Sequence, residues 1–281
     1  MIFETHAHYD DDAFNDDRDE VIGGLRAAGI ARVVNIGADM ASSRRSVELA
    51  NRYDFMYAAV GVHPDNAGEI VACDTSDDAD SVERKVYNTV DCSRNLAELR
   101  QMAASEKVIA IGEIGLDYHW NVFPREVQKE AFVTQWELAV GLGLPIEIHS
   151  RDAAEDTMNI VREMYGREQK AGRELRADMH CYSYSPEQAA EYVKMGLYFG
   201  IGGVITFKNA KKLREVVEIV PIERLLLETD CPYLAPEPHR GSRNNSTYLH
   251  SVAAGIAQIK GISEKEVEDI TYENACRFFG I

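Results

Sequence analysis

Eight short runs of apolar and β-branched residues recur along the 281-residue chain, separated by stretches with the period of an α-helix. Several runs are almost continuously hydrophobic, as in Leu225, Leu226 and Leu227, which is typical of strands buried on both faces of a parallel sheet. The alternation predicts an α/β fold, a (β/α)8 TIM barrel, with a doubly wound open sheet as the alternative. The predicted strands are residues 1–5, 32–36, 56–62, 108–114, 145–148, 178–181, 197–205 and 225–229.

The stretches between these runs carry apolar residues at helical spacing. Asp16, Ser42, Ser185 and Ser263 are predicted N-caps, because their side chains can accept a hydrogen bond from the first helical turn. The sequence contains no repeat and no linker rich in Pro, Gly or Ser, so one domain over residues 1–281 is expected. The acidic segment 74–80 is interpreted as a loop insertion after the third strand.

The net charge and the cysteine content restrict the cellular compartment and the binding partners that we expect. The net charge of −17 argues against non-specific coating of duplex DNA, although bound divalent cations would allow a nucleic-acid substrate. Five dispersed cysteines without a Cys-x-x-Cys motif indicate a reducing compartment. We find no signal peptide and no apolar run long enough for a membrane span, so we expect a cytoplasmic protein with no membrane partner and no obligatory protein partner.

The pair His6-x-His8 at the end of the first predicted strand indicates a metal site. Side chains two residues apart on a strand point to the same face, so both imidazoles are expected to aim at one point. Neutral imidazole is a common ligand of divalent transition metals. Two unrelated core histidines remain the alternative.

Further polar side chains lie at the ends of other predicted strands, where barrels of this type place their active sites. A carboxylate buried between glycines, as Glu113 is expected to be, is costly without a cation. His63 precedes Pro64 and has the alternative role of shaping a turn. The residues in question are His6, His8, His63, Glu113, His149, His180 and Asp230.

These residues fit a hydrolytic site. Four histidines and two carboxylates match a binuclear centre in which Glu113 bridges cations about 3.5–4 Å apart, although one metal with one water fits as well. Asp230 would accept the proton of the attacking water as general base. Basic residues after strands seven and eight are candidates for phosphate binding, because barrels often bind phosphate there, and a further candidate lies just beyond His149 at the end of strand five. They are Arg151, Lys208, Arg240 and Arg243.

Motifs along essentially the whole chain resemble those of TatD-like metal-dependent deoxyribonucleases, which belong to the amidohydrolase-like metal-dependent hydrolases. The motifs are residues 3–8 (FETHAH), 61–64 (GVHP), 112–118 (GEIGLDY), 148–151 (IHSR), 180–183 (HCYS), 202–209 (GGVITFKN), 226–236 (LLETDCPYLAP) and 240–244 (RGSRN). The chain departs from the family pattern at Glu4, where Asp is common, at Asn245, where an acid is common, and in its longer segment 74–80.

The resemblance implies a barrel hydrolase with two divalent cations, Mg²⁺, Mn²⁺ or Zn²⁺. His6, His8, Glu113 and Asp230 would hold one cation. Glu113 with His149 and His180 would hold the other. His63 would lie near the substrate phosphate, so Asp230, Glu113 and His63 are the expected catalytic residues.

The implied activity is hydrolysis of DNA phosphodiester bonds, and we expect single strands or ends, hence an exonuclease. An amidohydrolase or lactonase on the same barrel is the alternative, although such enzymes often use a modified lysine on strand four, where this chain has Glu113. Hydrolysis of an aminoacyl ester on a small or tRNA-linked substrate, and a non-catalytic metal-binding scaffold, are further alternatives.

Overall fold

A computed structural model describes residues 1–73 and 88–281 of the chain. Contacts divide the chain into two compact units. The first unit consists of Met1–Asn35, Arg52–Tyr57 and Asp178–Ile281, and the second of Ile36–Asn51 and Ala58–Ala177. The predicted loop at 74–80 lies outside the described residues, and the single domain over 1–281 stays a prediction.

The strands and helices alternate as the sequence predicts. Within the described residues, eight strands form one sheet in sequence order, which is the (β/α)8 arrangement, so the predicted fold class is confirmed. Each strand overlaps one of the eight predicted runs. The strands are β1 (Ile2–Ala7), β2 (Ile30–Ile36), β3 (Met56–Val60), β4 (Val108–Asp117), β5 (Ile146–Arg151), β6 (Ala177–Met179), β7 (Tyr198–Ile201) and β8 (Leu225–Leu227).

Helices follow the strands, and none in the described part of the chain is both long and apolar enough to cross a membrane. Short 3₁₀ helices lie at Asp12–Phe14, Pro64–Glu69, Gly203–Thr206, Ile222–Arg224 and Ser246–Tyr248. The α-helices are α1 (Arg18–Gly24), α2 (Met40–Arg52), α3 (Thr89–Met102), α4 (Arg125–Leu142), α5 (Ala154–Lys170), α6 (Pro186–Lys194), α7 (Lys211–Ile219), α8 (Leu249–Lys260) and α9 (Glu264–Phe279).

Two of the four predicted N-caps are confirmed. Ser185 accepts a hydrogen bond from the backbone N–H of Gln188 and begins α6. Ser263 begins α9 with a capping box in which Glu266 returns the bond. The predictions for the other two were wrong, because Asp17 rather than Asp16 precedes α1 and Ser42 lies inside α2.

In the first unit, β1 pairs in parallel with β2, and β7 pairs with both β6 and β8. A further bridge joins Ala7, at the end of β1, to Cys231, which follows β8. Phe3 packs against Phe279 of α9, with ring centroids 5.4 Å apart. This packing secures the N-terminal strand, whose last residues carry the predicted ligands.

In the second unit, β4 pairs in parallel with β3 and with β5. Its ten residues are all buried. The aromatic side chains of Phe132 and Trp136 on α4 are fully buried, and their ring centroids lie 5.6 Å apart. The register places Gly115 beside His149 and Asp117 beside Arg151, so polar residues of β4 and β5 lie next to each other at the ends of both strands.

The seventh strand is shorter than its apolar run predicts. The run 197–205 forms a strand only from Tyr198 to Ile201 and then turns into the 3₁₀ helix Gly203–Thr206. The backbone packs closely here: a Cβ on Gly203 would lie 2.1 Å from the carbonyl oxygen of Leu234. The apolar run therefore continues past the end of the strand, into a segment that packs closely against residues after β8.

Candidate metal centres

A cluster of imidazoles and a carboxylate lies in the first unit, where β1 and β8 end. The Nε2 atoms of His6 and His8 are 3.2 Å apart, as expected for side chains on one face of a strand. His8 Nε2 lies 3.5 Å from Oδ1 of Asp230, and His180 Nε2 lies 3.9 Å from the same oxygen. We call these four residues the first donor cluster.

The spacing of these atoms suits a divalent cation. Ligand atoms of a tetrahedral site with bonds of about 2.0–2.2 Å lie about 3.3–3.6 Å apart, and the distances within the first donor cluster span that range. The donors are imidazole nitrogens and a carboxylate oxygen, which are ligands that Zn²⁺ and Mn²⁺ accept. The first donor cluster therefore fits a metal ion by both distance and chemistry.

His180 is oriented by Glu228. Oε2 of Glu228 lies 3.1 Å from Nδ1 of His180, and Oε1 accepts a hydrogen bond from the backbone N–H of Cys181. The buried carboxylate passes close to Gly200, where a Cβ would lie 1.9 Å from Oε2. Such a carboxylate–histidine pair sets the tautomer of the ring and leaves Nε2 available to a metal.

Asp230 is the carboxylate of the first donor cluster and has a left-handed backbone, with φ of 55°. Its N–H donates to the carbonyl oxygen of His6, which places the two residues side by side. Burial raises the pKa of Asp230, but the hydrogen bond with His8 and the nearby His180 and His6 outweigh it and hold the pKa below its ordinary value. The carboxylate is thus ionised, as a ligand of a cation must be.

The second unit contains another group of donors. Nδ1 of His149 lies 2.6 Å from Oε1 of Glu113, and Nε2 of His149 lies 3.0 Å from Oδ2 of Asp117. Nε2 of His63 is 4.0 Å from the same Glu113 oxygen, and the rings of His63 and His149 are 4.3 Å apart. One donor atom each from His63, Glu113 and His149 fits within a span of 4.8 Å. We call these three residues the second donor cluster.

Electrostatics in the second unit favour a cation. Burial lowers the pKa of His149, but the carboxylates of Glu113 and Asp117 outweigh it and raise the pKa to about 9. Burial and the charge of Asp117 raise the pKa of Asp65 to about 6. A proton on His149 therefore compensates the carboxylates, and a metal ion would do the same in its place.

The structure brings the predicted ligands together in two groups. His6, His8, His180 and Asp230 lie in the first donor cluster, and Glu113 and His149 lie in the second. The resemblance implied that His180 holds the second cation with Glu113 and His149, and that assignment stays a prediction. His63 shares the second cluster, although the family resemblance implied only a place near the phosphate. The role of Glu113 as a ligand of both cations stays a prediction.

Two carboxylates beside His63 and His149 were absent from the predicted ligand set. Asp117 contacts His149, and Asp65 lies with Oδ2 3.6 Å from Nδ1 of His63. Their positions in the sequence could have indicated them, because Asp117 is the last residue of β4 and Asp65 follows His63 by two residues. Their donor atoms can form a further group with His63.

The predicted phosphate-binding residues have different surroundings. Arg151 and Lys208 are exposed, and the Arg151 guanidinium lies 5.6 Å from the ring centroid of Trp120. Arg240 is exposed and lies over the ring of Phe207, at 4.3 Å. These three cations are therefore accessible to a phosphate.

Arg243 is engaged within the protein. Its guanidinium forms a two-point ion pair with Asp17, at 2.8 and 2.6 Å, and also donates to the carbonyl oxygen of Ala13. The pair ties the segment after β8 to the start of α1. A role for Arg243 in phosphate binding stays a prediction and would require exchange of these partners.

The departures from the family pattern have defined contacts. Glu4 accepts hydrogen bonds from the backbone N–H groups of His6 and Thr229 and from the hydroxyl of Thr229. Asn245 accepts from the N–H and hydroxyl of Thr247 and thereby begins a short 3₁₀ helix. Glu4 therefore supports the first donor cluster, and Asn245 has a local structural role.

Comparison with known proteins agrees with this geometry. The family model described as TatD related DNase matches residues 3–280. The chain belongs to the TatD-related DNase family. A metal-dependent hydrolase of Bacillus subtilis, YabD, described as uncharacterized, is 43% identical over 281 residues, with 100% of both chains covered. A protein of Cronobacter sakazakii named 3'-5' ssDNA/RNA exonuclease TatD is 31% identical and covers 99% of this chain and 97% of its own.

Among solved structures, the TatD homologue YjjV of Escherichia coli K12 matches with a TM-score of 0.83 and 25% identity, over 100% of this chain and 98% of its own. The match supports the (β/α)8 fold over the full TatD-family chain. Family membership and the donor clusters together make the chain a TatD-family metal-dependent hydrolase.

Proposed function

We propose that this chain is a divalent-metal-dependent phosphodiesterase that removes nucleotides from the ends of single-stranded DNA. The observation that carries the proposal is the convergence of three imidazoles on Asp230 in the first donor cluster. The name of the Cronobacter relative, an ssDNA/RNA exonuclease, supports this choice of substrate.

We propose two cations for the holoenzyme, Mg²⁺, Mn²⁺ or Zn²⁺, with one held by each donor cluster. A bound divalent cation lowers the pKa of a water molecule and stabilises the charge that develops on a phosphoryl oxygen. Buried imidazole and carboxylate donors hold such ions with little rearrangement, because their partners already orient them.

Asp230 is the residue proposed to accept the proton of the attacking water. Its carboxylate is ionised, as its lowered pKa requires, and one oxygen lies 3.5 Å from His8. Contact with solvent remains, because about 20% of the side chain is exposed. The group is therefore both charged and reachable, which a general base needs.

Accessible cations and net charge support a short or single-stranded substrate. Arg151 in the second unit, and Lys208 and Arg240 in the first, are exposed, and each can bind a phosphate. The overall charge of −17 opposes a long duplex, whose affinity depends on many basic contacts. A reducing compartment such as the cytoplasm is consistent with five cysteines, all in the described residues, that form no disulfide.

The test is cleavage of linear and circular single-stranded DNA by the metal-loaded protein. Linear oligonucleotides labelled at the 5' or the 3' end should be shortened stepwise with Mg²⁺, Mn²⁺ or Zn²⁺, and circular DNA should resist. Asp230→Asn should lower kcat on the order of 10²- to 10⁴-fold, since it removes a general base and a ligand.

The matched control is Asp269→Asn, which makes the same change on the exposed surface of α9 and should leave the rate unaltered. RNA, amide, lactone and aminoacyl-ester substrates are assayed in parallel. No cleavage of DNA with any of the metals, together with hydrolysis of an amide or lactone, would contradict the proposal.

A further inference from the structure

Trp120 is an exposed aromatic residue three positions beyond the end of β4. Its exposed fraction is 60%, whereas large apolar side chains are usually buried. We propose that Trp120 and Arg151 form a stacking site for a nucleobase of a single-stranded nucleic acid. This inference rests on the proposed function and names one element of its substrate recognition.

The position of Trp120 is held by the carboxylate of Asp117. Oδ1 of Asp117 accepts hydrogen bonds from the backbone N–H groups of His119 and Trp120, at 2.9 and 3.0 Å. Its other oxygen contacts Nε2 of His149. One buried carboxylate therefore connects the turn that carries the indole to a member of the second donor cluster.

The same turn is anchored on its other side by a buried amide. Gln128 of α4 accepts from the N–H of Asp117 and donates to the carbonyl oxygens of Asp117 and Phe123. Phe123 is itself buried. The indole thus projects from a segment whose backbone is fixed at both ends, which lowers the entropic cost of holding a ligand.

The surroundings of the ring suit a nucleobase with its phosphate. The Arg151 guanidinium lies 5.6 Å from the ring centroid, and the His119 ring meets the indole edge-on at 4.9 Å. The carboxylate of Asp152 lies 3.1 Å from Nδ1 of His119. An aromatic face beside a guanidinium is the combination that proteins use to bind single strands without sequence preference.

An apolar protein partner fits this surface less well. In the described part of the second unit, the one other strongly exposed large apolar side chain is Val90, which lies in the first turn of α3 rather than after β4. The indole contacts the side chains of His119 and Arg151, which are exposed and polar. A single indole within a polar rim is too small for a stable protein interface.

The protein offers a direct optical test, because it contains two tryptophans. Trp120 is exposed, and Trp136 is fully buried in α4. Titration with oligothymidylate in EDTA, which prevents cleavage, should quench the indole fluorescence of the wild-type protein. Trp120→Phe should remove that quenching, since the remaining signal comes from Trp136.

Affinity is measured with a fluorescein-labelled oligothymidylate by anisotropy. Trp120→Ala should weaken binding by roughly 5- to 100-fold, and Trp120→Phe, which keeps an aromatic face, should weaken it much less. With an abasic oligonucleotide of equal length and equal phosphate count, Trp120→Ala and wild type should bind alike. Circular dichroism confirms that the variants fold.

Equal affinity of wild type and Trp120→Ala for the base-containing oligonucleotide would overturn the inference, as would equal losses on both oligonucleotides. If wild type cleaves single-stranded DNA but Trp120→Ala leaves both KM and affinity unchanged, the stacking site fails and the proposed function stands. If wild type neither binds nor cleaves any oligonucleotide, the proposed function itself fails.

Discussion

The carboxylate of Glu4 on β1 accepts two hydrogen bonds from Thr229, one from its N–H at 2.9 Å and one from its hydroxyl at 2.7 Å. Thr229 immediately precedes Asp230, and Glu4 also accepts the N–H of His6. The pair therefore joins two strand ends that carry residues of the first donor cluster. Because Glu4 is fully buried, loss of an acceptor there leaves donors without partners.

Glu4→Leu should lower the free energy of unfolding by about 1–3 kcal/mol, because it leaves the buried N–H groups of His6 and Thr229 without their acceptor. Burial raises the pKa of Glu4 to about 8, and this loss is expected whether or not the carboxyl group carries a proton. Urea unfolding of Glu4→Leu, Thr229→Val and the double variant should give a coupling energy of at least about 0.5 kcal/mol. Thr271→Val, which removes a buried hydroxyl from α9, is the control and should be additive with Glu4→Leu. If the effects of the Glu4 and Thr229 substitutions on the free energy of unfolding were additive, the direct contact between the two residues would be contradicted.

Metal content should divide between the two donor clusters. After loading and dialysis, His180→Ala and His149→Ala should each lose about one equivalent relative to wild type, because each removes a ligand from one three- or four-donor site. The measurement is metal analysis of the folded proteins by mass spectrometry. The control is His250→Ala on α8, which should retain the full metal content. The ring of His250 forms hydrogen bonds with Glu268 and with the carbonyl oxygen of Ala28. Full metal content in either cluster variant would exclude that histidine as a ligand.

Gly115 should be intolerant of a side chain. Its φ is +146°, and a Cβ would lie 1.9 Å from the carbonyl oxygen of His149 on the neighbouring strand. Gly115→Ala should therefore destabilise the protein by about 2–4 kcal/mol, from backbone strain and from displacement of β5. Thermal and urea unfolding measure the loss.

The matched control is Gly141→Ala in α4, where a Cβ meets nothing within 4 Å. Alanine loses less backbone entropy than glycine on folding, so this variant should gain about 0.5–1 kcal/mol. Equal stabilities of the two variants would contradict the close approach of β4 and β5.

Asp156 should contribute stability in a defined pH range. The hydrogen bond from Tyr118, followed by that from Lys129, lowers the pKa of Asp156. The pKa of Asp156 is therefore lower in the folded protein than in the unfolded chain, where it is about 3.9. Asp156 stabilises the fold fully at pH values above the unfolded pKa, and this stabilisation is lost as the pH falls through the folded pKa. Asp156→Asn should therefore cost about 0.5–1 kcal/mol at pH 6, a small figure because 31% of the side chain is exposed.

The check is urea unfolding of wild type and Asp156→Asn between pH 3 and pH 7. The difference between the two proteins should be constant at the upper end and should shrink as the pH approaches 3. If the difference in the free energy of unfolding instead grew as the pH falls, the pKa of Asp156 would not be lowered in the folded protein.

Much of the fold could be predicted from local patterns. Short apolar and β-branched runs between stretches of helical period identified the eight strands, because strands buried on both faces are hydrophobic throughout. Side chains two residues apart on a strand share a face, which implied that His6 and His8 point to one place, and their Nε2 atoms are 3.2 Å apart. Ser185 and Ser263 begin helices for an equally local reason.

The grouping of the functional side chains was decided by the tertiary structure. His180 lies with His6 and Asp230, and Asp117 ties His149 to the turn that carries Trp120. These contacts join residues far apart in sequence, so they depend on strand register and backbone packing, which no local period encodes. The end of β7 is another case, since the carbonyl oxygen of Leu234 approaches Gly203.

The sequence by itself thus determined the order and type of the elements and the chemical identity of the proposed ligands. Which ligands share a cluster, which carboxylates orient them and which aromatic side chain remains exposed beside them were decided by the folded chain. The physical reason is that element type follows from neighbouring residues, whereas a metal site requires donor atoms a few ångströms apart that only long-range packing brings together.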